Sequence, residues 1–278
     1  MSGVTLFAWA VPAFRDDSPV DHTWVTTYDT RTLPYPDDDE VVASGNHSWY
    51  CWGSFHAKGG TPDRADGFLG SQAGNLQQAT CLVRPDANSL FVPSARGTIF
   101  TYGVDGVCHQ LANQVLYATG TGGGGTRLTV HQARGYTLSV FFYGTYGLQH
   151  MAWQNKVKKC SAVSTLMKAE EGAAAKAMST DEFEQHLRNV LGKEKQEMVA
   201  RLLALRDETH TQRMDVMMTQ KSAAVSAESL NERNQHILAQ AAELLGTEQF
   251  EKVFGVKPGV NVNLVVPEIF NTLNDTRS

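Results

Sequence analysis

Four side chains in this sequence could do covalent chemistry through sulfur: Cys51, Cys81, Cys108 and Cys160. Only Cys108 has a context that would activate it. In Asp105-Gly-Val-Cys108-His-Gln-Leu-Ala-Asn113-Gln-Val-Leu-Tyr117, the residues Val107, Leu111, Ala112, Val115 and Leu116 recur at helical spacing, and Asp105 can cap the start. Cys108 then falls in the first turn. Unpaired backbone N–H groups and the positive end of the helix dipole favour a thiolate there. The plainer alternative is a buried, inert cysteine, since free cysteine is among the most buried residue types. A cysteine nucleophile also needs a base, and the base needs a third group to orient it. His109 follows Cys108 directly, so on a helix it points about 100° away and is a poor partner. His22 opens the strongly β sequence Asp21-His22-Thr-Trp24-Val-Thr-Thr-Tyr28, a position that aims a side chain rigidly.

The elements that must hold these groups divide the chain near residue 160. All five Trp and 19 of the 24 Gly lie before that point, whereas thirteen Glu follow it and only Glu40 precedes it. The front reads as strands and loops, and the back as helices. The expected strands are Leu6–Ala10, the His22 strand, and Ser48–His56, which would pair with the His22 strand as a hairpin. Ala79–Val83, Ser89–Pro93, Arg127–Gln132 and Tyr136–Tyr146 complete the set, the last as an apolar strand at the sheet centre. Gly59–Gln78 reads as a long polar loop, and Thr119–Thr126 as a flexible glycine turn without the ending of a phosphate loop. Behind residue 160, Ser179-Thr-Asp-Glu182 and Ser229-Leu-Asn-Glu232 read as capping boxes. Phe183, Leu187, Val190 and Leu191 make one apolar stripe, and Val199, Leu202 and Leu203 begin another that runs to Met214, Met217 and Met218. Gly246 ends a helix and Thr247–Phe254 forms a short one. Val260–Val266 is expected to add a strand or lie over a groove, and Asn271–Ser278 to be loose.

The order of the chemical residues resembles the circularly permuted papain-like hydrolases, a superfamily that includes NlpC-type amidases and the lecithin–retinol acyltransferase group. In them the active-site His comes first on a strand, and the nucleophilic Cys follows at a helix start. Asp21–Tyr28 resembles the His strand and Gly106–Asn113 the Cys helix. The resemblance covers Leu6 to about Tyr146. It implies an α+β fold in which an antiparallel β-sheet packs on the Cys-bearing helix, with a C-terminal helical region. Residues 1–160 would be the catalytic domain and 161–278 a lid, a cap or an oligomerisation surface. It also implies Cys108 as nucleophile, His22 as base, and Asn46, His47 or Ser48 as the orienting group, with His47 preferred. Gln110 or Tyr102 would assist the helix-start N–H groups in holding an oxyanion. The activity would be an amidase, a peptidase or an acyltransferase working on a small-molecule or peptide amide or ester, with no cofactor.

Composition narrows the field further. A net charge of −5 and the absence of a clustered basic helix argue against nucleic acid. No apolar run approaches membrane-spanning length, and the N-terminus reads as a strand rather than a signal peptide. Scattered cysteines fit a cytoplasmic thiol protein better than a disulfide framework. Two rivals stand. One is a metal site built from His47, Cys51 and His56, although 56 would face away from 47 and 51 on a strand. The other is a non-enzymatic β domain with a helical arm for assembly.

Overall fold

The computed structural model describes residues 3–13, 18–32, 46–49, 67–76, 102–119, 128–148, 181–219 and 225–275. The expected strands at Ala79–Val83 and Ser89–Pro93, the glycine turn after Thr119, and Cys51, His56, Cys81 and Cys160 lie outside these residues. The architecture is α+β. Four antiparallel strands form one sheet in the order β3-β2-β1-β4: β1 (Gly3–Pro12), β2 (Asp21–Thr26), β3 (Ser48–Trp49) and β4 (Phe68–Asn75). Seven helices follow among the described residues: α1 (Cys108–Thr119), α2 (Tyr136–Tyr143), α3 (Glu182–Leu191), α4 (Gln196–Thr219), α5 (Ala227–Leu245), α6 (Thr247–Phe254) and α7 (Pro267–Asp275).

Strand alternation gives the sheet two different faces. Ala8 pairs with Val25, and these residues, with Leu6 and Trp49, join the main core beneath α1 through Leu111, Ala112 and Val115. Trp9 pairs with Trp24 and Val11 with His22, and the two tryptophans and Val11 form a separate cluster on the opposite face. There the Arg31 guanidinium sits 4.3 Å above the Phe68 ring and is ion-paired to Asp29 at 2.6 Å. The main core is continuous from Leu6 on β1 to Phe270 on α7, so the sheet and the C-terminal helices share one apolar interior.

Several sequence expectations meet a different outcome. Tyr136–Tyr143 is a helix, not the central strand. Every residue of it except Thr137 is buried, so it is apolar all round, and no periodicity separates such a segment from a buried strand. Gly135, at φ 73°, turns the chain into it, and a side chain there would press on Val20. Residues 128–130 form no strand, and 131–132 lie in a turn. The second half of the expected Gly59–Gln78 loop is β4, paired along β1. The N-cap of helix α3 is Asp181, whose carboxylate accepts from Glu184 N–H; Ser179, the expected cap, lies outside the described residues. Helix α5 begins three residues early, because Ser226 and Ser229 form the capping box. Val260–Val266 adds no strand. Asn231 clamps it through both backbone groups of Val265, and α7 follows where a loose tail was expected. No helix among the described residues is long and apolar enough to cross a membrane.

Candidate functional site

Cys108 is the first residue of α1, as the apolar spacing required. Gln110 reaches back from the third helical position, its Oε1 accepting the Val107 N–H at 3.1 Å, as a capping-box glutamine does. Its Nε2 donates to Gly144 O at 2.9 Å, and the residue is fully buried. Gln110 therefore spends its amide on holding α1 to the end of α2, not on an oxyanion. Tyr102, the other expected oxyanion donor, is also buried, and its hydroxyl accepts Val266 N–H at 3.1 Å ahead of α7.

The sulfur sits against β2. Cys108 Sγ lies 3.7 Å from Asp21 O, and Thr23 packs on it as well. These two residues flank His22. Burial pushes the thiol up to about 11, and contacts with Thr23 and the His109 backbone only partly oppose it. In this arrangement desolvation outweighs the amide dipoles of the helix start. His22 itself points the other way. Its ring stacks on Trp24 at 6.0 Å and shares the face of Val11, whereas Thr23 and Val25 face α1. Burial, and the nearby His109, bring the His22 imidazole down to about 3. The structure brings the His22 backbone beside the sulfur but does not bring the ring to it.

His47 lies on the α1 side of the sheet, stacked on Trp49 at 6.1 Å, and its N–H donates to Thr27 Oγ1 at 2.9 Å. His22 and His47 are therefore on opposite faces. Ser48 is buried in β3. The imidazole that shares an acceptor with the sulfur is His109. Its Nε2 donates to Asp21 O at 3.0 Å, which leaves Nδ1 to accept from Ser139 Oγ at 2.8 Å. Its basic nitrogen faces away from Cys108. Burial brings it down to about 4. Ser139 and His109 have the spacing of a nucleophile and its base, yet both are fully buried.

A second cluster was not expected from the sequence. Tyr136 O–H donates to Glu182 Oε2 at 2.6 Å and accepts from Asn113 Nδ2 at 3.0 Å. Burial raises the Glu182 carboxyl and lifts Tyr136 well above the usual phenol range. Both line a cavity of about 530 Å³ between α2 and α3. The sequence offers Glu182 as a capping residue and Tyr136 as part of a strand, and their separation of 46 positions carries no signal of the contact. No group of three or more His, Cys, Asp or Glu side chains among the described residues is placed to hold a metal ion. Comparison with family models, with curated proteins and with solved structures gives no match. The class that fold and site define is an α+β protein whose sheet seats a helix-start cysteine and whose interior extends into a C-terminal helical region.

Proposed function

We propose that the chain is a thiol-dependent amidase, peptidase or acyltransferase that works through a Cys108 acyl-enzyme, with His22 as the base. The observation that carries this reading is the seat of the sulfur: first residue of α1, packed against the two residues that flank His22. In the reaction the thiolate forms a C–S bond to an amide or ester carbonyl. The C–N or C–O bond breaks as the imidazolium gives its proton to the leaving group. Water or an amine then cleaves the thioester. The catalytic form needs β2 to slip by one residue, which turns the His22 ring from the Trp24 face to the face of the sulfur. A reducing, cytoplasmic setting keeps such a thiol free.

A second reading has its own support. Burial holds the thiol protonated and the imidazole neutral, as expected for a packing cysteine in a non-enzymatic domain. Intact mass after incubation with p-nitrophenyl acetate decides between the two. The enzymatic reading expects one acetyl increment at neutral pH, lost in Cys108→Ala, and faster alkylation of Cys108 by iodoacetamide than of the other cysteines. The absence of that adduct, with Cys108 alkylation climbing only as pH nears 11, would leave Cys108 as packing alone.

A further inference from the structure

The cavity between α2 and α3 lies among residues that the acyl-transfer reading does not use. At about 530 Å³ it is large enough for a small organic ligand. Leu128, Val140 and Phe183 give it apolar walls, and Tyr136 adds an aromatic one. Among the described residues lining it there is no Lys or Arg, and Glu182 is the only acid. The Glu182 carboxylate is held in place by the Tyr136 hydroxyl and by Thr145. No lysine or arginine contributes to its electrostatics; His131 on the same wall is the basic group that acts on it and holds the carboxyl down, while Arg206 on α4 is engaged by Asp181 and Asp207. The carboxylate is therefore partly desolvated on a cavity wall, with hydrogen bonds and the His131 imidazole near it but no lysine or arginine among the described residues lining the cavity. His186 lines the same wall, fixed by the hydrogen bond its Nε2–H donates to Val253 O at 2.8 Å.

We infer that this cavity binds a small organic cation, an ammonium or guanidinium carried on an apolar body, with Glu182 as its charge partner. An anion entering the same space would meet a carboxylate and, among the described lining residues, no lysine or arginine, His131 and His186 being the basic groups there. A neutral apolar molecule would fill the volume without adding a charge partner for Glu182. The aromatic faces of Tyr136 and Phe183 suit an aryl or alkyl body and attract a cation besides. The inference is independent of Cys108 and stands whichever reading of the sulfur holds.

Three probes of equal size separate the alternatives: benzylamine, benzyl alcohol and benzoate. Each is titrated by calorimetry into the full chain near neutral pH, with thermal unfolding in parallel. Benzylamine is expected to bind about tenfold tighter than benzyl alcohol, and benzoate weakest of all. Glu182→Gln keeps the shape and the Tyr136 hydrogen bond, and should bring benzylamine and benzyl alcohol to nearly equal affinity. Should that variant fail to fold, Thr137→Phe, on the cavity wall, should abolish benzylamine binding by occupying its space. Equal affinities in the unmodified chain, a benzylamine preference that survives Glu182→Gln, binding that survives Thr137→Phe, or no binding by any probe would each overturn the inference.

Discussion

Two clusters of titratable side chains lie on either side of α2, and burial has opposite consequences for them. Around Cys108 the groups are sealed. Cys108, His22 and His109 are all less than a tenth exposed, and each has shed the charge that chemistry would require of it. Around Glu182 the groups open on a cavity, and the carboxylate is held by donors from Tyr136 and Thr145. Desolvation acts on both clusters, but the second lines a cavity that a partner from outside can enter. A site predicted from residue types can thus be the quieter of two, because residue type says nothing about what surrounds it.

The largest expected effect tests the sealed cluster. Above pH 6.5, His22 and His109 are neutral in the folded and unfolded chains alike, and they leave stability flat. Below it the unfolded chain takes up protons that the folded chain refuses until pH falls to about 4 for His109 and about 3 for His22. Stability therefore falls with pH across that window. At about 1.4 kcal/mol per unit, the pair should cost on the order of 5 kcal/mol by about pH 4. His210, brought down to about 4 by burial against the helices, adds to the same slope. Glu182 works in the reverse sense. Its raised carboxyl contributes stability that is present at low pH and lost as pH rises, so the open cluster offsets part of the loss. Urea unfolding at a series of pH values checks the size of the slope. A flat profile from pH 7 to 5 would show that the sealed imidazoles reach water.

Arg213 sharpens the same contrast, because a guanidinium cannot neutralise itself. It is buried on α4 with its plane over the Tyr143 ring, 4.7 Å from the centroid, and over Phe142 at 5.2 Å. One nitrogen donates to Asn234 Oδ1, while Nε and Nη1 find no hydrogen-bond partner. Replacing a buried charge and its polar partner by apolar groups of similar volume is often stabilising by about 1–4 kcal/mol. Arg213→Met with Asn234→Leu should therefore raise the urea midpoint. Arg213→Met alone should lower it relative to the pair, since Asn234 Oδ1 is then buried without a donor. A double variant less stable than the parent would assign the difference to the two aromatic rings.

How far these features can be read from the sequence depends on how local they are. The start of α1 at Cys108, the α3 stripe of Phe183, Leu187 and Leu191, and the stop at Gly246 were legible, because helical periodicity and glycine ends act over a few residues. The pairing of the His22 strand with β3 was legible from β-rich composition in the described part, Ser48–Trp49. Which face His22 takes was not. Strand parity is fixed only by what lies on each side of the sheet, here α1 against Val25 and the tryptophan pair against His22. Tyr136–Tyr143 misled for a related reason: an eight-residue apolar run fits strand or helix alike, and the choice was made by packing against α1, α3, α4 and α6. With that helix misread, the Tyr136–Glu182 contact could not be foreseen.

Tyr136 is the residue the two clusters share, and it gives the smallest and most discriminating effect. Its ring lies 5.8 Å from that of His109, and its hydroxyl ends on Glu182. Tyr136→Phe keeps the ring and therefore the packing against His109. It removes the donor to Glu182 Oε2 and one acceptor of Asn113, whose Nδ2 still donates to Thr145 O at 3.0 Å. Because Asn113 retains that partner, the loss falls mainly on the carboxylate, at about 1–2 kcal/mol. The hydroxyl's hydrogen bond also lowers the Glu182 carboxyl, so removing it should raise that group further. Benzylamine binding should then weaken at mildly acidic pH, as Glu182 protonates earlier, while the pH dependence set by His22 and His109 stays where it was. A shift of both profiles together would mean that the hydroxyl couples the sealed cluster to the cavity, and the two sides of α2 would then titrate as one system.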